Sequence, residues 1–478
     1  MLKNLLKTFQ DATCISKSKL WPIITDHYKK TGISAWDQSV PYIVTNTTLC
    51  AQYHARAINV HAQHLPYKQH SYIIIDYGAG IGQHTFHLAK ALMTESLSQP
   101  LDMFVIYMAD VSNDCLDFWK NHPQLQPFID SGLIKPVQLS GEWLHDLKKV
   151  CLDNHPHYCL IANYLLDSMP FMGYEHHTLQ SLSLQSPRKH LTPEFSGPLD
   201  ALKLKLGNLN TKTHHTYPNL LKRYQKIPRY TIPSLAIDFI QQFFHQNPDN
   251  LMLINDKMFL TPESFNYDES FNLNLEGNFS TTVNMDAVAQ CLPSNTCLHT
   301  ITQHYPIIQT VAIGHIDYTP PTNPSCSDGA AILHFLRTQS SIPNQICLSI
   351  APLLHHDSFC LEVFSQTITP DQTKAEHTQN MIEACLEQHF HKPSDYILLH
   401  ASKMMRRLGH YALAKDYLKR YQKKHITNGA YHLEAGILAH CMNKHSEALE
   451  QLTLAAQDPI TAASANTLIQ QMRDTVNE

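Results

Sequence analysis

The sequence predicts an α/β protein with a doubly wound, Rossmann-like sheet carrying a large insertion, followed by an all-α helical-repeat domain. Three observations predict it. Short β-branched runs alternate with amphipathic helical runs between residues 71 and 175. A turn with three glycines follows the first of those runs directly. The last hundred residues or so repeat themselves at a spacing of 34. At 478 residues the chain has room for two or three domains.

Composition narrows the function classes. Hydrophobic residues at 43% and charged residues at 16% describe a globular chain. Lys+Arg at 36 against Asp+Glu at 41 offers no basic field for nucleic acid. No apolar run reaches the roughly 18 residues of a membrane span. The 12 cysteines are scattered, with no CxxC, as suits a reducing compartment, and a cytoplasmic location is the expectation. The opening MLKNLLKTFQDATC places Leu2, Leu5, Leu6 and Phe9 at helical spacing and lacks a secretion-signal core, so a surface helix is expected there.

Three stretches follow in order, the second carrying an insertion. Residues 1–70 read as an N-terminal helical segment. Residues 71–370 read as the α/β domain, opening with strands at Tyr72–Ile75, Met103–Tyr107, Lys135–Leu139 and Tyr158–Ala162. Residues 178–248 are polar, rich in Ser, His, Lys and Pro, and read as an insertion. Strand-like runs return at Leu251–Ile254, Ile307–Ile313 and Leu361–Phe364. Residues 375–478 are helical. There a shift of 34 places Gly409-His410-Tyr411 on Asn443-Lys444-His445, Ala414 on Ala448, Leu418 on Leu452, Leu399 on Leu433 and Ala401 on Ala435. That period, with Gly409 and Gly436 expected where helices approach closely, is the tetratricopeptide signature. A module of this kind binds a protein substrate or partner.

Glycine supplies the sharpest clue. The chain has only 15 in 478, yet Gly78, Gly80 and Gly82 fall within one turn, in SYIIIDYGAGIGQHTFHLAKAL. Small residues between a buried strand and a helix let the backbone pass close under a ligand, beside free helix N–H groups. A dinucleotide fold would space its glycines GxGxxG with an acid about 20 residues later. Here the spacing is GxGxG, and Asp76 stands before the first glycine. A carboxylate there repels a pyrophosphate and suits a cationic amino acid end, which points to S-adenosylmethionine.

Asp110, ending the second strand in YMADVS, is the candidate for the ribose hydroxyls. Glu142 and Trp143 are candidates near the adenine, with Trp143 serving either as a stacking face or as core. Asn163 and Asp167, in IANYLLDSMP, are the candidate catalytic residues, placed to align a methyl acceptor with the sulfonium.

The runs IIIDYGAGIG, IYMADVS, GEWLHDL and IANYLLDSMP resemble, in this order, the MidA-like class of S-adenosylmethionine-dependent methyltransferases. LMLINDKMF, EGNFSTTVNMDAVAQ and VPYIVTNTTLCAQYHARAI are similar to further segments of that family. The resemblance spans about residues 35–300. It implies a class I methyltransferase sheet of seven strands, S-adenosyl-L-methionine as cofactor, and an entry segment that contributes to its pocket. The family includes a protein-arginine methyltransferase. Tyr164 replaces the family's Glu and Thr282 its His, while Asn163, Asp167, Pro170 and Asn284 match or nearly match. Loss of the acid removes the obvious guanidinium partner, so arginine is not carried over as substrate.

Two rival functions stand beside a methyltransferase acting on a protein side chain. One is a scaffold with a degenerate methyltransferase domain; the other is an NAD-dependent oxidoreductase, opposed by the glycine spacing and Asp76. The 32 histidines invite a metal, and Cys151, His155, His157 and Cys159 form the densest mixed cluster, without a zinc-ligand spacing. Lys403, Arg406, Arg407, Lys415, Lys419, Arg420, Lys423 and Lys424 make a basic cluster, read as a solvated helix face or as a dock for an acidic segment.

Overall fold

Buried apolar strands with helices on both faces organise the N-terminal part of this computed structural model, which describes residues 7–8, 13–34, 45–65, 72–94, 101–151, 157–186, 203–209, 216–265, 281–303, 308–321, 332, 335–392, 395–424 and 427–477. The chain divides into two compact units, Met1–Ser327 and Asp328–Glu478.

The first unit holds an eight-stranded sheet. Its strands along the main path are β1 (Tyr72–Tyr77), β2 (Phe104–Asp110), β3 (Ile134–Gln138), β4 (Tyr158–Asn163), β5 (Leu251–Phe259), β6 (Thr296–Gln303) and β7 (Ile308–His315). The spatial order is β6-β7-β5-β4-β1-β2-β3, and the short strand Val283–Asn284 pairs with β5. Neighbours along β5-β4-β1-β2-β3 are parallel, whereas β7 runs antiparallel to both β5 and β6.

The sequence accounts for this arrangement. Ile73, Ile74 and Ile75 in β1, and Cys159 to Ala162 in β4, are almost wholly buried. A parallel sheet covered on both faces needs such unbroken apolar runs. Pro136 sits in β3, at the edge of the sheet, where a missing N–H costs no ladder bond to a further strand.

Helices α1 (Leu20–Thr31), α2 (Thr48–His64), α3 (Gln83–Thr94), α4 (Asn113–Asn121), α5 (Trp143–Val150) and α6 (Ser234–Gln246) pack around this sheet and its neighbours. Thr47 caps α2, its hydroxyl accepting the Cys50 N–H at 3.1 Å.

The polar stretch after residue 170 builds a second, six-stranded sheet. Thr178–Ser186 pairs with Lys203–Asn208, Thr13–Cys14, Lys7–Thr8 and Met172–Glu175, and Met172–Glu175 pairs with Arg229–Ile232. The expected N-terminal helix is therefore corrected: Lys7–Thr8 and Thr13–Cys14 are strands, and residues 1–6 and 9–12 lie outside the described residues. Edge pairing to Thr178–Ser186 satisfies their backbone groups, a partner no local pattern reveals. Ile15, Leu20, Trp21, Phe171, Leu182 and Leu184 form a separate core under this sheet.

The second unit contains α7 (Asn344–Leu353), α8 (Phe359–Thr367), α9 (Ala375–Gln388), α10 (Ile397–Arg407), α11 (Tyr411–Lys424), α12 (Gly429–Cys441), α13 (His445–Ala455) and α14 (Ala462–Asn477). Its start at Asp328 moves α7 and α8 out of the α/β region drawn to residue 370. The run Leu361–Phe364, expected as a strand, is helical. Cys360, Leu361, Val363 and Phe364 are all fully buried, an i, i+1, i+3, i+4 pattern that an apolar window of four residues cannot distinguish from a strand.

The 34-residue register reappears as geometry. Gly409 (φ +81°) and Asn443 (φ +57°) both adopt the left-handed conformation at the turns that end α10 and α12. Ala414 and Ala448 are both fully buried. Gly436 is a close-approach glycine, since a Cβ there would meet Leu452 Cγ at 2.7 Å. Gly409 is not: nothing lies within 4 Å of its Cβ position, and the left-handed turn is what requires it.

Candidate active site

Ligands of open α/β sheets bind outside the carboxyl ends of the strands, where the strand order reverses. In this sheet that point lies between β1 and β4, and a cleft opens there. β1 and its turn contribute Tyr77 and Gly78, β2 contributes Asp110 and Val111, and the segment after β3 contributes Gly141 and Trp143. From β4 and beyond come Asn163, Tyr164, Leu165, Ser168 and Pro170.

The glycine turn is held from below. The N–H groups of Gly78 and Ala79 both donate to Ala109 O, at 2.8 and 3.0 Å. Gly78, Gly80 and Gly82 all have left-handed φ, of +80°, +56° and +83°. A Cβ on Gly78 would lie 3.1 Å from Leu165 Cδ1, and one on Gly82 would lie 3.0 Å from Met108 Sδ. The left-handed backbone favours glycine at all three positions, and at Gly78 and Gly82 a Cβ would be crowded as well. Trp119 Nε1 donates to Gly80 O at 3.0 Å, fixing the turn against α4.

Asp110 is buried, yet reaches the cleft. Its Oδ2 accepts the Gly80 N–H and its Oδ1 the Ser112 N–H, each at 3.0 Å. Burial pushes its carboxyl up to about 6, with the N–H groups of Ser112 and Gly80 pulling the other way. Trp143 stacks on Tyr77, with ring centroids 6.0 Å apart and planes inclined by 18°. This aromatic pair forms one wall.

The remaining expected residues divide. Gly78, Asp110, Trp143 and Asn163 line the cleft; Gly80 and Gly82 build its floor from behind. Glu142 is exposed at the N-cap of α5 and does not line it. Asp76 is turned away and buried under the turn, where its Oδ2 accepts from Thr85 Oγ1 at 2.5 Å and from His84 Nδ1 at 3.2 Å. The reason is the strand period of two: if Tyr77 faces the cleft, Asp76 faces the opposite layer.

Asp167 is also turned inward. It is 4% exposed, Lys257 Nζ stands 3.9 Å from its Oδ2, and Asp256 Oδ2 accepts its backbone N–H at 3.2 Å. Asn284 caps the helix Met285–Gln290 by accepting the Ala287 N–H, and it does not line the cleft.

Sequence reasoning missed two groups of residues. Trp21, Ile24, Thr25 and Tyr28 of α1 close the cleft on the side of Gly141, where a Cβ would meet Thr25 Cγ2 at 2.5 Å. A buried polar chain lies behind Asn163. Asn255 Nδ2 donates to Asn163 Oδ1 at 2.6 Å and contacts His54 Nε2 at 3.1 Å, and Thr310 Oγ1 donates to Asn255 Oδ1 at 2.5 Å. His54 Nδ1 lies 3.0 Å from His84 Nε2, which leads back to Asp76. The available signal was Asn255-Asp256, two polar residues inside the apolar run LMLINDKMF.

Tyr164, at the family's acid position, adopts a left-handed φ of +47° beside the cleft, uncommon for so bulky a side chain. Among the described residues, the groupings compatible with a metal are Cys50/His54/His84 and His389/His391/Asp395. Cys151, His157 and Cys159 are in neither, and His155 lies outside the described residues. In the basic cluster, Arg406 forms two hydrogen bonds with Glu434 and Arg420 pairs with Glu383, so both arginines are committed within the second unit.

No family model matches the sequence, and no curated protein matches it. Two solved structures from Burkholderia thailandensis are similar. One, a COG1565 superfamily member bound to S-adenosyl-homocysteine, shares 11% identity over 74% of this chain and 84% of its own, with a TM-score of 0.44. The other, an uncharacterised protein of that superfamily, shares 12% identity over 79% of this chain and 83% of its own, with a TM-score of 0.36. Among the described residues, no helix is long and apolar enough to cross a membrane.

Proposed function

We propose that the chain is a class I methyltransferase that binds S-adenosyl-L-methionine in this cleft. The observation that carries the reading is the strand order β3-β2-β1-β4-β5-β7-β6 with β7 reversed, and with the glycine turn and Asp110 meeting at its switch point. A nicotinamide fold runs β3-β2-β1-β4-β5-β6 without the reversed hairpin. The residues present fit the cofactor. Gly78 lines the cleft with bare backbone, Asp110 offers a carboxylate at the end of β2, and Trp143 with Tyr77 offers a stacking wall.

In this reading Asp110 takes the ribose hydroxyls and the Tyr77–Trp143 wall covers the base. When bound, the cofactor supplies a methyl group already activated on a sulfonium. The protein's part is then alignment in a water-poor cleft, and the half-buried Asn163 and Tyr164 frame the end where an acceptor enters. Asp76 and Asp167 take no direct part in this version of the site. The second unit, with its 34-residue helix-pair register, serves as a tetratricopeptide-like module for a protein substrate or partner.

Calorimetry with S-adenosylmethionine, S-adenosylhomocysteine and NAD tests the assignment. Binding of the first two and not of NAD supports it, together with loss of binding in Gly80→Arg. Binding of NAD alone overturns it in favour of the oxidoreductase, and binding of none leaves the scaffold.

A further inference from the structure

We propose that His389, His391 and Asp395 form a divalent-metal site of the zinc class at the joint between α9 and α10. The site lies wholly within the second unit and does not depend on the cofactor assignment above.

The local sequence sets up the convergence. In HFHKPSD a single residue, Phe390, separates the two histidines. His389 is extended where α9 ends (φ −71°, ψ 132°), and alternate side chains of an extended chain share a face. The two imidazoles therefore fall on one side, while the fully buried Phe390 anchors the segment in the core. The chain then reaches the start of α10, where Asp395 Oδ1 accepts the Ile397 N–H at 3.0 Å. That bond fixes the carboxylate and leaves Oδ2 to the histidines.

The distances suit a shared ion. Asp395 Oδ2 lies 2.9 Å from His389 Nε2 and 3.2 Å from His391 Nδ1, and the three ligand atoms all lie within 4.8 Å of one another. Bonds of about 2.0–2.2 Å to one tetrahedral ion put neighbouring ligand atoms roughly 3.3–3.6 Å apart. The two oxygen–nitrogen distances widen by about half an ångström or less to admit it. On binding, each ring offers that nitrogen's lone pair to the ion and carries its proton on the other nitrogen.

Ligand chemistry selects the metal. Two imidazole nitrogens and one carboxylate oxygen suit zinc and its neighbours, whereas magnesium and calcium take oxygen ligands. The side chains of Asp395 and His389 are 2% and 9% exposed, while His391 is 43% exposed and gives the ion its way in. With three protein ligands, a fourth position stays open to water. The other grouping, Cys50/His54/His84, is fully buried, and its two rings are bonded to each other, to Asn255 and to Asp76. It has no comparable entry.

Calorimetry of the chelator-treated full chain with Zn²⁺ tests this, with Co²⁺ as a spectroscopic probe. The wild type should take up zinc with a roughly micromolar Kd or tighter, and equal concentrations of Mg²⁺ or Ca²⁺ should not compete. His391→Ala, at the exposed ligand, should weaken zinc about tenfold or more, with thermal melting in chelator to verify the fold. Cys50→Ala should leave zinc binding unchanged. His391→Cys should keep affinity within about tenfold and add a near-ultraviolet thiolate-to-cobalt band that the wild type lacks. Absence of zinc binding, or unchanged binding in folded His391→Ala, overturns the site. So does loss of binding in Cys50→Ala, which assigns the ion to the other grouping. Displacement of zinc by Mg²⁺ or Ca²⁺ also overturns it, because an oxygen-only site is then the binder.

Discussion

Asp110 Oδ2 accepts the backbone N–H of Gly80 at 3.0 Å, so the acid that ends β2 and the turn that follows β1 are one structural piece. In the proposed site, the contact couples ligand recognition to the shape of the glycine turn. A ligand that engages Asp110 must share a carboxylate already held by two backbone donors, Gly80 and Ser112. Replacing Asp110 therefore loosens the turn as well as removing a ligand contact.

Ligand affinity should follow the charge on Asp110. Its folded pKa, pushed up to about 6, lies above the ordinary carboxylate value, so the carboxylate is largely protonated at pH 5 and ionised at pH 7.5. Ribose hydroxyls donate to the ionised form. S-adenosylhomocysteine affinity should rise up to about tenfold between those pH values, and Asp110→Asn should weaken binding and flatten the rise. Calorimetry across the range checks both.

Gly82→Ala should destabilise the first unit. The new Cβ would sit 3.0 Å from Met108 Sδ and 3.1 Å from Trp119 Nε1, at a φ of +83°. A left-handed non-glycine residue costs about 1–2 kcal/mol before any overpacking is added. Denaturant titration should show the loss, and ligand affinity should fall with it.

Buried Asp167 should give the protein a distinctive pH dependence. Burial raises its carboxyl to about 7, with Lys257 opposing, and Asp256 beside it is raised as well. A folded pKa above the unfolded value means the stabilising contribution is complete below about pH 4 and is lost as pH rises through 7. The urea midpoint should therefore fall between pH 5 and pH 8. Asp167→Asn should remove part of that slope, on the order of 1–3 kcal/mol.

In the second unit, Gly436 and Gly409 should respond differently. Gly436→Ala puts a Cβ 2.7 Å from Leu452 Cγ and 3.2 Å from Ala448 O, so α12 and α13 must move apart, at about 1–3 kcal/mol. Gly409→Ala meets no atom within 4 Å and pays only for its left-handed φ, about 1 kcal/mol. Gly409→Asn, matching the left-handed Asn443 34 residues later, should recover part of that loss. Thermal melting of the full chain resolves the order.

Legibility in the sequence tracked the range of the interaction. The strands β1, β2, β4 and β5 were plain because a parallel strand buried on both faces is an uninterrupted apolar run. The glycine turn was plain because three left-handed positions need glycine whatever surrounds them. Asp76 lies away from the cleft for a reason that is also local: the alternation of strand faces separates it from Tyr77. Asp167 and Glu142 follow strand ends in the sequence, but the short helix Leu166–Ser168 and the start of α5 turn both aside from the cleft. The strands Lys7–Thr8 and Thr13–Cys14 were invisible, because their partners are some 170 residues away.

By itself the sequence determined the α/β alternation, the turn under the cleft and the 34-residue helix register, all set by backbone conformation and short-range periodicity. Only the tertiary structure decided which polar groups meet. His54, His84, Asn163 and Asn255 come from α2, α3, β4 and β5, and Asp76 from β1. Their hydrogen bonds exist because parallel pairing sets Asn255 beside Asn163 in register while α2 and α3 cover the same face. Donor and acceptor identity can be read from the residues one at a time. Which of these groups meet is a property of the assembled sheet and its covering helices, because no single element carries more than one of them.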